Sequence, residues 1–152
     1  MSLIQDQQIK GLTVRDLMIP GEKVAHVQLN NPLEHALLVL VKSGYSAVPV
    51  LDTSYKLTGL ISKTLILNHI LGLERFEMER LPNIEVQEIM EKDIPSVTED
   101  LPFMDALKMV IDHPFVCVAD KDGIFDGILT RRAILKRLNR NFYEDRQKEK
   151  KE

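Results

Sequence analysis

Residues 127–135 read GILTRRAIL, and their interpretation decides the fold. A glycine leads a short apolar run, Thr130 follows, then Arg131 and Arg132, and an apolar-periodic helix begins. A strand that ends in a hydroxyl at a helix start is an anion site, because free N–H groups and the helix dipole both favour negative charge there. Two arginines add a forked, permanently charged clamp suited to phosphate. They sit at the dipole's positive end, which is unfavourable unless an anion joins them. The bland alternative is a solvated helix start. Earlier in the chain GLISKTLIL, residues 59–67, has the same outline without the paired arginines.

Working outward, the two stretches belong to two copies of one pattern. VRDLM at 14–18 is echoed by VQEIM at 86–90. LEHALLVLVKSG, a helix expected to start with Asn31 as N-cap and Pro32 in its first turn and to end at Gly44, is echoed by FMDALKMVIDH after Leu101-Pro102. The strands expected at Val24–Gln28, Ala47–Leu51 and Leu57–Ile61 return at Ile94–Val97, Phe115–Ala119 and Phe125–Leu129. Asp122-Gly123 between the last two is a hairpin signal. Val14 and Val86 are 72 residues apart, Ala36 and Ala106 are 70, and Gly59 and Gly127 are 68. Loops shorten and elements keep their length, as expected of a repeat. The fold class is therefore α+β, two β-α-β-β-α repeats packed about a pseudo-twofold axis so that each sheet buries one face. Repeat 1 spans 13–72, a charged linker 73–85, repeat 2 86–140, and a charged tail 141–152 that is expected to fray. A short helix is also expected over residues 3–12, and a capping box at Thr13 and Asp16.

The composition fits a soluble globular protein, with 44% hydrophobic and 28% charged residues. A net charge of −3 argues against nucleic-acid binding by bulk electrostatics, so the useful positive charge must be local. No apolar run approaches the roughly 18 residues of a membrane span, and no secretory signal is expected. The one cysteine, Cys117, lies in the apolar run FVCVA and reads as a small buried hydrophobe in a reducing compartment. His26, His35, His69 and His113 share no metal spacing, so neither metal nor cofactor is expected. No nucleophile–base pair stands out, so the chain does not read as an enzyme.

Two β-α-β-β-α repeats, each with Gly-apolar-apolar-Ser/Thr at a strand-to-helix junction, resemble a tandem CBS-domain pair, a Bateman module, over about residues 13–140. KVAHVQ, SGYSAVPVLD, LGLERFE and TRR further resemble the stand-alone CBS proteins of Gram-positive bacteria that bind cyclic di-AMP. The resemblance implies a nucleotide cleft between repeats that draws on both. It would join Lys23, Val24, Ala25, Tyr45, Ser46, Ala47 and Pro49 to Thr130, Arg131 and Arg132. Three cations would oppose two phosphodiester charges. Thr130 and Ser46 can donate to phosphate or ribose oxygens. Backbone beside Ala25 and Ala47 can read an adenine edge, and Tyr45 and Pro49 offer surface to a base. The second cleft, Pro95 and 114–116 with Ser62, Lys63 and Thr64, is expected to be empty or weak, because Phe115 is expected to fill the space and only Lys63 offers a nearby cation.

Many mononucleotide-binding CBS modules carry Ser/Thr-x-x-Asp, whose carboxylate grips the ribose 2′- and 3′-hydroxyls. Here those positions are Leu65 and Ala133. In a 3′,5′-cyclic dinucleotide the 3′-oxygen is esterified and the grip is lost, so the departure fits cyclic di-AMP better than AMP. The resemblance thus implies a cytoplasmic, non-catalytic cyclic-di-AMP receptor, a homodimer, whose partners are enzymes. The guanosine tetraphosphate synthetase/hydrolase comes first and pyruvate carboxylase second. The alternatives are an AMP/ATP energy sensor on the same fold and a ligand-independent interaction module.

Overall fold

The computed structural model describes residues 11–151. Most of the short helix expected over 3–12, including Leu3, Ile4 and Ile9, lies outside the described residues. Helix α1, Val14–Leu17, opens with the Asp16 carboxylate accepting the Thr13 N–H at 2.8 Å. The expected strand at 24–28 is shorter and is preceded by another. Strand β1 is Ile19–Pro20, a 3-10 turn covers Gly21–Lys23, and β2 is only Val27–Gln28. Helix α2, Leu33–Ser43, has Pro32 at its N-cap rather than Asn31, whose side chain instead accepts the Gln28 N–H at 2.7 Å. It stops at Gly44, left-handed at φ 78°.

Strands β3, Ala47–Leu51, and β4, Leu57–Ser62, lead into α3, Lys63–Ile70. The linker carries a 3-10 turn at Met78–Asn83, and a second turn covers Val86–Glu88. After β5, Ser96–Val97, the expected second helix is split at Lys108 into α4, Phe103–Leu107, and α5, Met109–Asp112. Strands β6, Phe115–Ala119, and β7, Phe125–Thr130, precede α6, Arg131–Lys151, which continues through the stretch expected to fray. The chain is α+β with two β-α-β-β-α repeats, as the sequence predicts.

The compact units do not coincide with the repeats. Unit 1 comprises residues up to Val24, Pro95–Lys121 and Asp126 onward; unit 2 comprises Ala25–Ile94 and Asp122–Phe125. Each unit thus contains the opening segment of the other repeat. In unit 1 a sheet runs β1-β7-β6-β5, with Ile19 paired antiparallel to Ile128. Val14 is fully buried there with Phe103, Ala106, Val116, Leu129 and Ile134. In unit 2 the sheet runs β2-β3-β4, and the buried Val86 joins Leu33, Leu40, Val48, Ile61 and Ile66. The docking bonds repeat as well. The Val14 N–H donates to Leu101 O at 3.0 Å and Phe103 N–H to Leu12 O at 2.9 Å; Val86 N–H donates to Asn31 O and Leu33 N–H to Ile84 O, both at 2.8 Å. A short amphipathic opening cannot bury its apolar side alone, so each one completes a core it does not follow in sequence.

Two glycines allow this. A Cβ on Gly127 would stand 2.1 Å from Ile19 O, and one on Gly59 would stand 2.4 Å from Glu91 O. Ile19 and Glu91 are themselves 72 residues apart. At both places the crossing backbone lies where a side chain would begin.

Candidate functional site

The two strand-to-helix junctions are built alike. In unit 2 the Ser62 hydroxyl accepts the Leu65 N–H at 3.1 Å, and the Lys63 N–H donates to Ser46 O at 3.1 Å. In unit 1 the Thr130 hydroxyl accepts the Ala133 N–H at 2.9 Å, and the Arg131 N–H donates to Pro114 O at 2.9 Å. Each hydroxyl is an N-cap that satisfies the third helical N–H, and each keeps its own proton for a further acceptor.

Their charge differs. Helix α6 carries Arg131, Arg132, Lys136, Arg137 and Arg140 before its first carboxylate, Glu144. Arg132, second in the helix, is exposed, and among the described residues its guanidinium has neither a hydrogen-bond nor an ion-pair partner. Arg131 is engaged: Nε donates to Val110 O at 2.8 Å and Nη2 to Ile111 O at 3.3 Å. A cationic pair at the positive end of a 21-residue helix, with no acidic residue in the first turn, forms a local positive field in an acidic chain.

The remaining candidates divide between the units. Lys23, exposed at the end of its 3-10 turn, and Val24, buried, belong to unit 1 with Thr130, Arg131 and Arg132. Ala25, Tyr45, Ser46, Ala47 and Pro49 belong to unit 2. Tyr45 is half-buried, and its N–H donates to the Ser43 hydroxyl at 3.3 Å. Ser46 is exposed, with its carbonyl taken by Lys63. Pro49 is buried inside β3 opposite Leu60, so it forms more of the sheet's interior than its surface. Of the second set, Pro95 and Pro114 are exposed and Phe115 is half-buried in unit 1, while Ser62, Lys63 and Thr64 lie in unit 2.

Burial pushes the Cys117 thiol up to about 12, so it stays neutral. Among the described residues no cluster of His, Cys, Asp and Glu is placed to hold a metal, and no helix is long and apolar enough to cross a membrane.

The repeat, the exchanged openings and the two capped junctions define a class: the chain belongs to the family of CBS-domain proteins, whose model matches residues 14–72 and 86–140. Among individual relatives, it is 51% identical to cyclic di-AMP receptor B of Bacillus subtilis, over 93% of this chain and 96% of that one. A crystal structure of a CBS-domain protein of unknown function from Bacillus anthracis is 60% identical, with a TM-score of 0.84, covering 89% of this chain and 98% of its own. The crystal structure of Listeria monocytogenes CbpB in complex with c-di-AMP is 52% identical, with a TM-score of 0.79, covering 86% and 97%.

Proposed function

We propose that the chain is a non-catalytic cytoplasmic receptor for cyclic di-AMP. The ligand is held by Lys23, Val24, Ala25, Tyr45, Ser46, Ala47, Pro49, Thr130 and Arg132, with Arg131 beside them at the start of α6. The observation that carries the reading is the start of α6, where an exposed Arg132, unpartnered among the described residues, follows the Thr130 cap in a first helical turn that holds no acidic residue. Such a site needs an anion. The high identity to a named cyclic di-AMP receptor supports this choice of anion. So does the chemistry at Ala133, which offers no carboxylate to the vicinal hydroxyls of a mononucleotide.

The receptor acts as a homodimer that contacts a partner enzyme, the guanosine tetraphosphate synthetase/hydrolase or pyruvate carboxylase, and its ligand changes that contact. Such control requires the ligand to bind the free and the partner-bound forms unequally.

Calorimetric titration of the full chain with cyclic di-AMP and with AMP tests the reading. Cyclic di-AMP is expected to bind more tightly than AMP, and Arg132→Met to weaken it by about tenfold to a hundredfold, the range for losing a charge-assisted hydrogen bond. Equal or tighter AMP binding overturns the choice of ligand in favour of an adenine-nucleotide sensor. No binding of either nucleotide leaves a ligand-independent interaction module.

A further inference from the structure

The two repeats end their central helices differently. In repeat 1, α2 ends on a left-handed glycine: the Gly44 N–H donates to Leu40 O at 3.1 Å, and the Ser43 hydroxyl reaches the same carbonyl at 3.3 Å. In the register that relates Ala36 to Ala106, Leu40 corresponds to Val110. Repeat 2 has no glycine there. Helix α5 is followed by His113, which is extended at φ −128°, ψ 130°, and by Pro114, which has no N–H to give. The Val110 carbonyl would lack that cap. Arg131 supplies the donor from across the sequence, with Nε at 2.8 Å from Val110 O and Nη2 at 3.3 Å from Ile111 O, while its own N–H holds Pro114 O at 2.9 Å. Among the described residues Lys63, its counterpart in repeat 1, has only the backbone bond, to Ser46 O.

We infer that Arg131 is a positioning residue: its guanidinium caps α5 from the first turn of α6, and by tying residues 110–114 to that turn it sets where Thr130 and Arg132 present themselves to the ligand. The inference rests on the cyclic-di-AMP reading above. It assigns the two adjacent arginines different work, with Arg132 meeting the anion and Arg131 holding the frame.

A carbonyl needs a donor at the right atom, whereas a phosphate needs charge. The side chains separate these demands. In Arg131→Gln the amide nitrogen is as many bonds from the backbone as Nε, so the bond to Val110 O is kept and the charge is lost. In Arg131→Lys the charge is kept and a methylene stands where Nε was.

The test uses the full chain as wild type, Arg131→Gln, Arg131→Lys and Arg132→Gln. Cyclic di-AMP affinity is measured by calorimetry at low and high salt, and hydrogen exchange is followed over residues 109–115. Arg131→Gln is expected to stay within about threefold of wild type, with the same salt dependence and exchange protection; Arg131→Lys is expected to lose about tenfold and to exchange faster at 109–115. Arg132→Gln should weaken binding and flatten its salt dependence while leaving 109–115 protected. If Arg131→Lys binds better than Arg131→Gln, and the glutamine variant flattens the salt dependence, Arg131 is a phosphate ligand and the inference is overturned. If wild type binds no cyclic di-AMP, the receptor reading fails and the positioning role falls with it. Exchange at 109–115 without ligand then still reports whether the cap itself exists.

Discussion

At Ser62 and at Thr130 the chain makes the same turn from strand to helix. A hydroxyl accepts the N–H three residues on, and the first helical N–H donates to the carbonyl immediately before the neighbouring strand, Ser46 before β3 and Pro114 before β6. A glycine three residues upstream admits a crossing backbone in both. The difference lies in the two side chains after the cap: Lys63 and Thr64 in one junction, Arg131 and Arg132 in the other. Backbone donors must be satisfied wherever the chain folds, so duplication preserves the residues that satisfy them. Side chains that project from the first helical turn are under no such constraint unless, as at Arg131, they cap a carbonyl elsewhere. The common frame is therefore read from where two copies of one junction agree, and what sets one junction apart from where they disagree.

The shared frame gives the largest expected effect. Alanine at Gly127 would put a methyl group 2.1 Å from Ile19 O, and alanine at Gly59 one 2.4 Å from Glu91 O. Both contacts are with backbone already paired to a neighbouring segment, so neither yields by a rotamer change. Urea unfolding should show each variant destabilised by about 3 kcal/mol, at the upper end of overpacking costs. A loss below about 0.5 kcal/mol, the range of an ordinary surface substitution, would mean that the openings do not cross where the glycines place them.

The caps come next and separate frame from site. Removing either hydroxyl frees one helix N–H, so Ser62→Ala and Thr130→Ala should each cost about 1 kcal/mol of stability. Cyclic di-AMP affinity should fall only with Thr130→Ala, by several-fold, since of the two hydroxyls that one stands at the helix start that carries Arg132. Equal losses of affinity in both variants would place the ligand against both junctions and erase the asymmetry.

The sequence made the frame largely legible, because the frame is what the repeat conserves. β3 and β6 fall at the expected residues, Gly44 ends α2 and Ser62 caps α3, all from local signals of turn chemistry and alternation. The exchange of opening segments was not legible: Ile19 finds its partner at Ile128, and periodicity contains no information about a pairing that distant. β1 and β2 are two residues each, too short to show alternation. Asn31 reads as a cap by type, yet its side chain closes the turn at Gln28 one step before the helix. The candidate residues were drawn from the junction motif and the family resemblance, and neither pointed to the bonds from Arg131 to Val110 O and Ile111 O. The missing signal was negative: a helix running into His113-Pro114 with no glycine leaves carbonyls to be capped from elsewhere, and a nearby arginine is the donor best shaped to do it.

The smallest effect on stability tests the finest distinction. Ala133 is third in α6, half-buried, with its N–H on the Thr130 cap. An aspartate there suits the helix dipole and should add about 0.5 kcal/mol to stability. It also stands one residue from Arg132, where its charge opposes a phosphodiester. Its oxygens can accept from the free 2′- and 3′-hydroxyls of a mononucleotide, of which the cyclic dinucleotide has only the first. Ala133→Asp is therefore expected to weaken cyclic di-AMP and strengthen AMP, shifting the ratio of their dissociation constants by about tenfold, one hydrogen bond to a charged group gained and lost. Leu65→Asp, the same change in the other junction, should leave cyclic di-AMP binding as it was. Paired titrations of the two variants decide it. An unchanged ratio in Ala133→Asp would put the ribose away from the α6 start, and with it the ligand that Arg132 of GILTRRAIL is proposed to hold.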